Sequence, residues 1–147
     1  MTRTRSYELY IDGASRGNPG PAGVGVVCVD GTDHPAWQLS RGLGHTTNNV
    51  AEYLALIYAL QEALKRGQRA VTVRTDSELL ARQINGQYRV KDPWLKVLHE
   101  LAGHLREGFE EFSFHHIPRE QNRLADRLAG EAAQRGLISG NPRVDQR

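Results

Sequence analysis

Residues 7–23 read YELYIDGASRGNPGPAG. Leu9 and Ile11 alternate with polar residues, which is typical of a half-buried strand, and we expect this strand to end at Asp12. Glycine and proline in the second half indicate a tight turn, and an apolar run over 24–29 follows, so the two runs predict a β-hairpin. Because glycine lets the backbone approach a ligand closely, a carboxylate here could hold a metal ion, although aspartate also commonly begins a turn.

Composition bounds the class of protein. The 147 residues suit one domain with one core, and the hydrophobic fraction of 39% and charged fraction of 24% are ordinary for a globular protein. No apolar run approaches the roughly 20 residues of a membrane span, and no apolar signal segment follows the N-terminus, so we expect a cytoplasmic protein with no membrane partner. Cys28 is the only cysteine, which excludes an internal disulfide. The net charge of +2 is weak evidence for a polyanionic partner.

Hydrophobic periodicity predicts the remaining elements. Strands are expected over 36–43, 71–75 and 111–117, and helices over 50–66, 77–84, 93–106 and 122–134. The candidate helix caps are Thr46, Thr47 and Asn48 for the first helix and Asn122 for the last. The third helix is expected to bury one apolar side, formed by Leu95, Val97, Leu98, Leu101, Ala102 and Leu105. Alternation in the last strand directs either His115 or His116 toward the packed side of the sheet, and we interpret both as structural.

The order of these elements predicts an α/β fold. Three strands joined by tight turns form an antiparallel meander, and a right-handed crossover makes the fourth strand parallel to the first. We therefore expect a five-stranded mixed sheet flanked by helices, with strands 1–3 antiparallel and strands 4 and 5 parallel to strand 1. The domain is expected to cover residues 1–135. Residues 136–147 carry Gly, Pro and charge without periodicity, and we expect a flexible tail there.

Four carboxylates fall where this fold would bring them together. Asp12 and Asp76 end strands that are expected to be parallel neighbours, and Glu52 and Asp126 lie near the starts of two helices. The ordinary alternatives are a turn residue for Asp12, a first-turn contact with the helix dipole for Glu52 and a helix cap for Asp76. Four crowded carboxylates would raise each other's pKa values, and hard divalent cations relieve such repulsion. Two ions about 4 Å apart could then support phosphodiester cleavage.

Four segments resemble, in order, the four motifs of type 1 ribonuclease H. They are YIDGASRGNPGPAG (10–23), TTNNVAEYLA (46–55), VRTDS (73–77) and PREQNRLADRLA (118–129). The resemblance covers about residues 6–135 and implies a ribonuclease H-like fold. It also implies cleavage of the RNA strand of an RNA/DNA hybrid, with 5′-phosphate and 3′-hydroxyl products. Two Mg²⁺ ions would act, with Mn²⁺ as a substitute. By this resemblance Asp12 bridges both ions, Glu52 and Asp76 hold the first, and Asp126 holds the second.

The resemblance also implies substrate contacts. Asn18, Asn48 and Asn49 match positions that contact the hybrid in its minor groove, where amides can both donate and accept hydrogen bonds. Thr47 matches a position that anchors a phosphate of the DNA strand. The alternatives are a turn residue for Asn18 and helix caps for the asparagine pair.

The chain departs from many bacterial members at two places. Many bacterial members carry a histidine in the loop before the fourth acid, where it is thought to help proton transfer. In this chain the loop before Asp126 is short and has no histidine. We hypothesise that Glu120 takes over part of this role. The long basic handle is absent, as in the handle-less branch of the family, and Arg89 and Lys91 are candidates for a smaller phosphate-binding patch. Glu78 stands where many members carry glutamine, which puts that substrate contact in doubt.

Two rival functions stay open at this point. One is a non-catalytic or weakly active nucleic-acid-binding module on the same fold, and the other is a strand-transferring recombinase core. Four intact acids argue against the first, because a binding module gains nothing from their repulsion. We expect no extra DNA-binding domain beside this fold, which disfavours the second. We expect a monomer with no obligate protein partner.

Overall fold

The structure, a computed structural model, describes residues 5–32 and 34–139. Within them the elements follow in the predicted order: β1 (Ser6–Ser15), β2 (Gly20–Val29), β3 (Trp37–Thr46), α1 (Asn48–Lys65), β4 (Ala70–Thr75), α2 (Glu78–Ile84), α3 (Pro93–Arg106), β5 (Glu111–His116) and α4 (Arg123–Ser139). A short 3-10 helix, Arg119–Gln121, precedes α4. The α/β class is confirmed.

The five strands form one sheet in the order β3-β2-β1-β4-β5. β1 pairs antiparallel with β2, β2 pairs antiparallel with β3, and β4 and β5 run parallel to β1, as predicted. Helix α1 covers one face, where Leu9, Ile11 and Val26 join the main core. Helix α4 covers the other face of β1, β2 and β3, where Val27 packs against Ala125 and Leu128. The central strand β1 is thus enclosed between two helices.

Several element ends differ from the expectation. β1 does not end at Asp12 but continues to Ser15, because Asp12–Ser15 pair with Ala22–Gly25 of β2. β3 likewise continues to Thr46, three residues past its predicted end at residue 43. Thr47 caps α1 and its hydroxyl accepts from the Val50 N–H at 3.3 Å, so one of the three candidate caps is confirmed. Backbone pairing across the hairpin therefore outweighs the glycines, which were expected to end the strand early.

Helix α3 has the predicted bounds, but its predicted buried side is too wide. Val97 is 55% exposed and Leu101 is 43% exposed, whereas Leu95 and Ala102 are buried. The helix packs mainly against α1, and a single neighbouring helix covers only part of a six-residue apolar side. The apolar spacing therefore predicted the helix correctly and its burial incorrectly.

The two histidines of β5 are also placed differently from the expectation, since His115 and His116 are both exposed. β5 is an edge strand, and α2 is the helix that packs against it.

Helix α4 runs to Ser139, five residues past the predicted end, and the rest of the predicted tail, 140–147, lies outside the described residues. The domain boundary at residue 135 stays a prediction. None of the described helices is both long enough and apolar enough to cross a membrane.

Gly25 marks a close approach of α4 to the sheet. A Cβ on Gly25 would stand 2.2 Å from the backbone oxygen of Ala125 and 2.7 Å from the backbone nitrogen of Ala129. Gly25→Ala should therefore push α4 away from β2 and lower the free energy of unfolding by about 2–3 kcal/mol, measured by urea denaturation.

Gly42→Ala is the matched control for this prediction. Gly42 lies on β3 under the same helix, but its Cβ would meet only the Ala132 oxygen, at an ordinary contact distance of 3.5 Å. Its stability should stay close to that of the wild type. If Gly25→Ala proved equally stable, the close packing of α4 on β2 would be contradicted.

Candidate active site

Strand register places two of the predicted carboxylates side by side. Asp12 lies on the central strand β1, is 4% exposed and stands opposite Gly25 of β2. On the other side of β1, Ile11 is the partner of Thr75, the last residue of β4. Asp76 follows Thr75 directly, so the parallel pairing brings it next to Asp12, as the sequence predicted.

Glu52 reaches the same place from α1. Gly13 allows this approach, because a Cβ there would stand 2.3 Å from the carbonyl carbon of Ala51 and 2.5 Å from the nitrogen of Glu52. The Gly13 N–H donates to Oε1 of Glu52 at 3.0 Å, and the Glu52 residue is 7% exposed. The expectation that Glu52 lies in the first turn is wrong, since α1 begins at Asn48. Packing against β1, and not the helix dipole, explains this glutamate.

The structure brings three of the four acids together. Asp12, Glu52 and Asp76 each offer a carboxylate oxygen within 4.8 Å of the others. Asp126 is in the first turn of α4, where its side chain is 40% exposed and lies 3.9 Å from the guanidinium of Arg119. It does not belong to the group of three, but it lies close enough to Asp12 to raise the pKa of that carboxyl. Asp126 therefore borders the cluster from the α4 side.

Asn122 has a role that the sequence did not reveal. We expected it to cap α4, but its side-chain amide donates to the backbone carbonyl of Ile11 at 2.8 Å. Its backbone carbonyl accepts from the Asp126 N–H at 3.0 Å. This 1% exposed residue thus ties the start of α4 to β1, one residue from Asp12. An asparagine directly before a helix is the signal that we interpreted as a cap.

The pKa values of Asp12 and Glu52 are both raised in this site. The pKa of Asp12 is raised to about 10, chiefly by burial, then by the charge of Glu52 and by the neighbouring Asp126 carboxyl. The pKa of Glu52 is raised to about 8, also chiefly by burial, although the Gly13 N–H lowers it in part. Full ionisation of both carboxyls is therefore unfavourable in the protein without a bound cation.

The donor set fits a hard divalent cation. Carboxylate oxygens are the ligands that Mg²⁺ and Mn²⁺ prefer, and a cation would stabilise the ionised carboxylates that burial and nearby negative charge disfavour. Over residues 5–32 and 34–139, no second group of three His, Cys, Asp or Glu side chains comes comparably close. The cluster of Asp12, Glu52 and Asp76 is thus the candidate metal centre of the described chain.

Several of the predicted substrate contacts lie together in one groove. Asn18, Thr47 and Asn49 line one groove of about 620 Å³, together with Asp92 and Trp94 among others. Within the groove wall, the side-chain oxygen of Asn18 accepts from the backbone N–H of Asn48 at 2.9 Å. The structure therefore joins the loop before β2 to the start of α1. Trp94 is a member of this groove that our sequence analysis did not single out, although an exposed tryptophan after a helix-starting proline could have signalled it.

The remaining predicted residues lie on the surface. Arg89 and Lys91 are exposed on either side of the buried Val90. Glu120 is exposed in the 3-10 helix, directly after Arg119. Glu78 pairs with Arg82 at 2.9 Å on α2. The roles assigned to Arg89, Lys91 and Glu120 stay predictions.

Comparison with known proteins agrees with this geometry. The protein family described as reverse transcriptase-like matches residues 10–132. Ribonuclease HI of Halobacterium salinarum is 45% identical over 123 residues, which cover 84% of this chain and 62% of that protein. Ribonuclease H of Idiomarina loihiensis is 34% identical over 151 residues, which cover 92% of each chain. The chain spans less than two thirds of the Halobacterium protein's length and about one third of the lengths of similar mycobacterial proteins.

Solved structures extend the agreement to the fold. RNase H1 from Halobacterium salinarum NRC-1 has a TM-score of 0.85 at 43% identity, and the match covers 88% of this chain and 98% of that chain. LC11-RNase H1, solved in complex with an RNA/DNA hybrid, has a TM-score of 0.84 at 45% identity, covering 89% and 99% of the two chains. The shared fold, the sequence identity and the clustered carboxylates lead to one conclusion: this chain belongs to the type 1 ribonuclease H family.

Proposed function

We propose that this protein is a metal-dependent endonuclease that hydrolyses the RNA strand of RNA/DNA hybrids and leaves 5′-phosphate and 3′-hydroxyl ends. One observation carries the proposal: carboxylates from β1, α1 and β4 converge within 4.8 Å in a chain of this family. The hybrid bound to LC11-RNase H1 supports the choice of substrate. We further propose a monomer in the cytoplasm with no obligate protein partner.

The carboxylates would hold two divalent cations, Mg²⁺ with Mn²⁺ as a substitute. Asp12, Glu52 and Asp76 would hold the first, and Asp12 and Asp126 the second. Two bound cations of this kind supply an activated water and stabilise the leaving oxygen in phosphodiester hydrolysis. The Gly13 N–H orients the Glu52 carboxylate by donating to Oε1, and lone pairs on both carboxylate oxygens remain for a cation. Burial of Asp12 and Glu52 keeps bulk water away from one side of the site.

Neutral amides would recognise the hybrid beside the carboxylates. The side-chain oxygen of Asn18 already accepts from the Asn48 N–H, which leaves the Asn18 NH₂ group to donate to a 2′-hydroxyl of the RNA strand. Asn48 and Asn49 would present the same chemistry from the start of α1. The Thr47 hydroxyl accepts from Val50 and keeps its own hydrogen for a phosphate of the DNA strand. Glu120 is proposed to help proton transfer near Asp126.

The alternative of a non-catalytic binding module is weaker on physical grounds. Two buried carboxyls with strongly raised pKa values make the folded chain less stable at neutral pH, because the unfolded chain can ionise them and the folded chain cannot do so freely. A module that only bound hybrids would gain nothing from this arrangement. A cation-dependent nuclease requires it.

Asp76→Asn should abolish metal-dependent cleavage of a hybrid labelled on its RNA strand. The change keeps the side-chain shape and removes the charge that would hold a cation, so the rate should fall at least about a hundredfold. The control is Asp30→Asn, which removes one carboxylate charge just after β2, at the opposite end of the sheet. Cleavage by Asp76→Asn at the wild-type rate would refute the proposed site, and tight hybrid binding without wild-type cleavage would favour the binding module.

The metal-free protein should lose stability as the pH rises. Folding raises the pKa of Asp12 above its ordinary 3.8 and that of Glu52 above 4.5, so the folded state binds more protons than the unfolded state between those values and the raised ones, about 10 and 8. Stability is therefore highest below pH 4 to 5 as far as these two groups are concerned, and it declines toward pH 9. In EDTA, the melting temperature should drop by on the order of 5 °C between pH 5 and pH 9.

Two comparisons isolate the cause of this decline. Mg²⁺ should restore the melting temperature at pH 9, because a cation stabilises the ionised carboxylates. Asp12→Asn should flatten the decline without metal, because it removes the most perturbed carboxyl. An equally steep decline in Asp12→Asn would show that other groups cause the pH dependence.

Replacing Arg89 and Lys91 together by alanine should weaken hybrid binding and reduce its salt dependence. Each lost phosphate contact should flatten the slope of log affinity against log salt by roughly 0.9. Lys65→Ala is the control, since Lys65 is an exposed lysine at the far end of α1 whose ammonium lies near Glu62. An unchanged slope in the double variant, measured by filter binding from 50 to 200 mM salt, would remove these residues from the interface.

A further inference from the structure

A second groove borders the carboxylate cluster on the side of α4. It has a volume of about 600 Å³ and lies between the loop after β1 and the exposed face of α4. Asp126 forms part of its wall, so the groove lies directly beside the proposed ligand of the second cation. Three arginines also line it, namely Arg16 from the loop and Arg127 and Arg135 from α4. The proposed cleavage chemistry gives these arginines no role.

The arginines make this groove chemically different from the one that Asn18 and Thr47 line, whose described lining contains no Lys or Arg. Guanidinium groups match phosphate oxygens with paired hydrogen bonds and stay charged at any physiological pH. The α4 groove has two carboxylates, Asp126 and Glu131, so its three arginines leave it with a net positive charge. The ion pair between Glu131 and Arg127 spans 3.9 Å between exposed side chains, which makes it weak enough for a phosphate to displace.

Hydrogen bonds fix both walls of the groove. The Arg16 N–H donates to the Pro21 carbonyl at 2.8 Å and closes the loop after β1. On α4, the guanidinium of Arg135 donates to the Ser40 hydroxyl at 3.2 Å, which holds it against β3. The Arg16 side chain, in contrast, makes no hydrogen bond or ion pair with any residue of 5–32 or 34–139. Its exposed guanidinium is therefore available to a ligand in the groove.

The position of the groove indicates which strand would meet it. Helices α1 and α4 cover opposite faces of the sheet, and the groove of Asn18 and Thr47 lies at the start of α1. In the proposed function the RNA strand crosses the carboxylates, and the DNA strand lies on the α1 side. Phosphates that reach the α4 groove then belong to the RNA strand. They are phosphates near the cut, because Asp126 both borders the cluster and lines the groove.

We propose that Arg16, Arg127 and Arg135 form a binding site for phosphates of the RNA strand next to the cut. This inference rests on the proposed function and adds to it a charged contact with the strand that is cleaved. The groove on the α1 side offers phosphates only neutral donors, so the arginines supply the positive charge that it lacks. Because contacts between cations and phosphates release counterions, this site both tightens binding and increases its salt dependence.

Neutral phosphate analogues test the site. The substrate is a duplex whose cleaved strand carries the shortest block of ribonucleotides that the wild type cuts, between two DNA segments. Uncharged methylphosphonate linkages replace one phosphate at a time in these DNA segments and in the complementary strand, and kcat and KM are measured. For the wild type, KM should rise about three- to tenfold at one or two linkages of the cleaved strand. Arg16→Ala/Arg127→Ala should raise KM on the unmodified duplex by at least a similar factor and should not respond to those linkages.

Lys65→Ala/Arg69→Ala is the charge-matched control. Lys65 at the end of α1 and Arg69 just before β4 are exposed, and both lie at the end of the sheet away from Asp76. This variant also loses two positive charges, but it should respond to every linkage as the wild type does. An Arg16→Ala/Arg127→Ala protein that still responds to the neutral linkages of the cleaved strand would overturn the proposal, and so would a wild type that tolerates all of them. A response lost only in the complementary strand would overturn the assignment to the RNA strand.

Equilibrium binding gives a readout that does not depend on turnover. An Asp76→Asn background keeps the hybrid uncut. There, Arg16→Ala/Arg127→Ala should flatten the slope of log affinity against log salt by roughly 0.9 for each lost phosphate contact, and the control should keep the slope. If the wild type cleaves hybrids but this slope does not change, the arginine site fails and the proposed function stands. If the wild type does not cleave hybrids, the proposed function itself fails.

Discussion

The close approach of β1 and α1 at Gly13 is the contact on which the site depends. A side chain at this position would collide with the backbone of Ala51, so glycine is what lets the helix lie directly on the strand. The Gly13 N–H then binds the carboxylate of Glu52, while the neighbouring Asp12 lies 4% exposed in the same place. Backbone packing thus holds two acids together in a buried place, and their pKa values are raised chiefly by that burial and further by neighbouring carboxylates.

Two further ties complete the arrangement around Asp12, and both act through Ile11. The parallel register of Ile11 with Thr75 sets the position of Asp76, and the Ile11 carbonyl accepts the side-chain amide of Asn122. Through Asn122 the start of α4, with Asp126, is fixed to the same strand. The central strand therefore serves as the common reference for all four acids. Hydrogen bonds to the backbone of β1 thus hold together elements whose carboxylates would otherwise move apart.

The sequence predicted the features that depend on local residue pattern. It did not predict the features that depend on contact with a neighbouring element. Alternation and helical spacing predicted the five strands and the four α-helices but not the 3-10 helix before α4, and four ordered motifs identified the carboxylates. The end of β1 was misplaced because glycines suggested a turn, although pairing with β2 continues to Ser15. Val97 and Leu101 were expected to be buried because spacing shows an apolar side but not the width of the partner that covers it. Asn122 was interpreted as a cap because it directly precedes a helix. The partner of its side chain, the carbonyl of Ile11, is 111 residues away in the chain, and local pattern does not reveal such a contact.

The buried amide of Asn122 follows from the same electrostatics that govern the acids. An aspartate there would have nearly the same shape, but it would lack the NH₂ group that donates to Ile11 and would add a further negative charge beside Asp12. At 1% exposure that charge would have no water to stabilise it, and the pKa of Asp12 would rise further. A neutral donor thus joins α4 to β1 without disturbing the cluster. Asn18 and Asn49 in the neighbouring groove are likewise neutral, so they can donate hydrogen bonds without adding charge near the carboxylates.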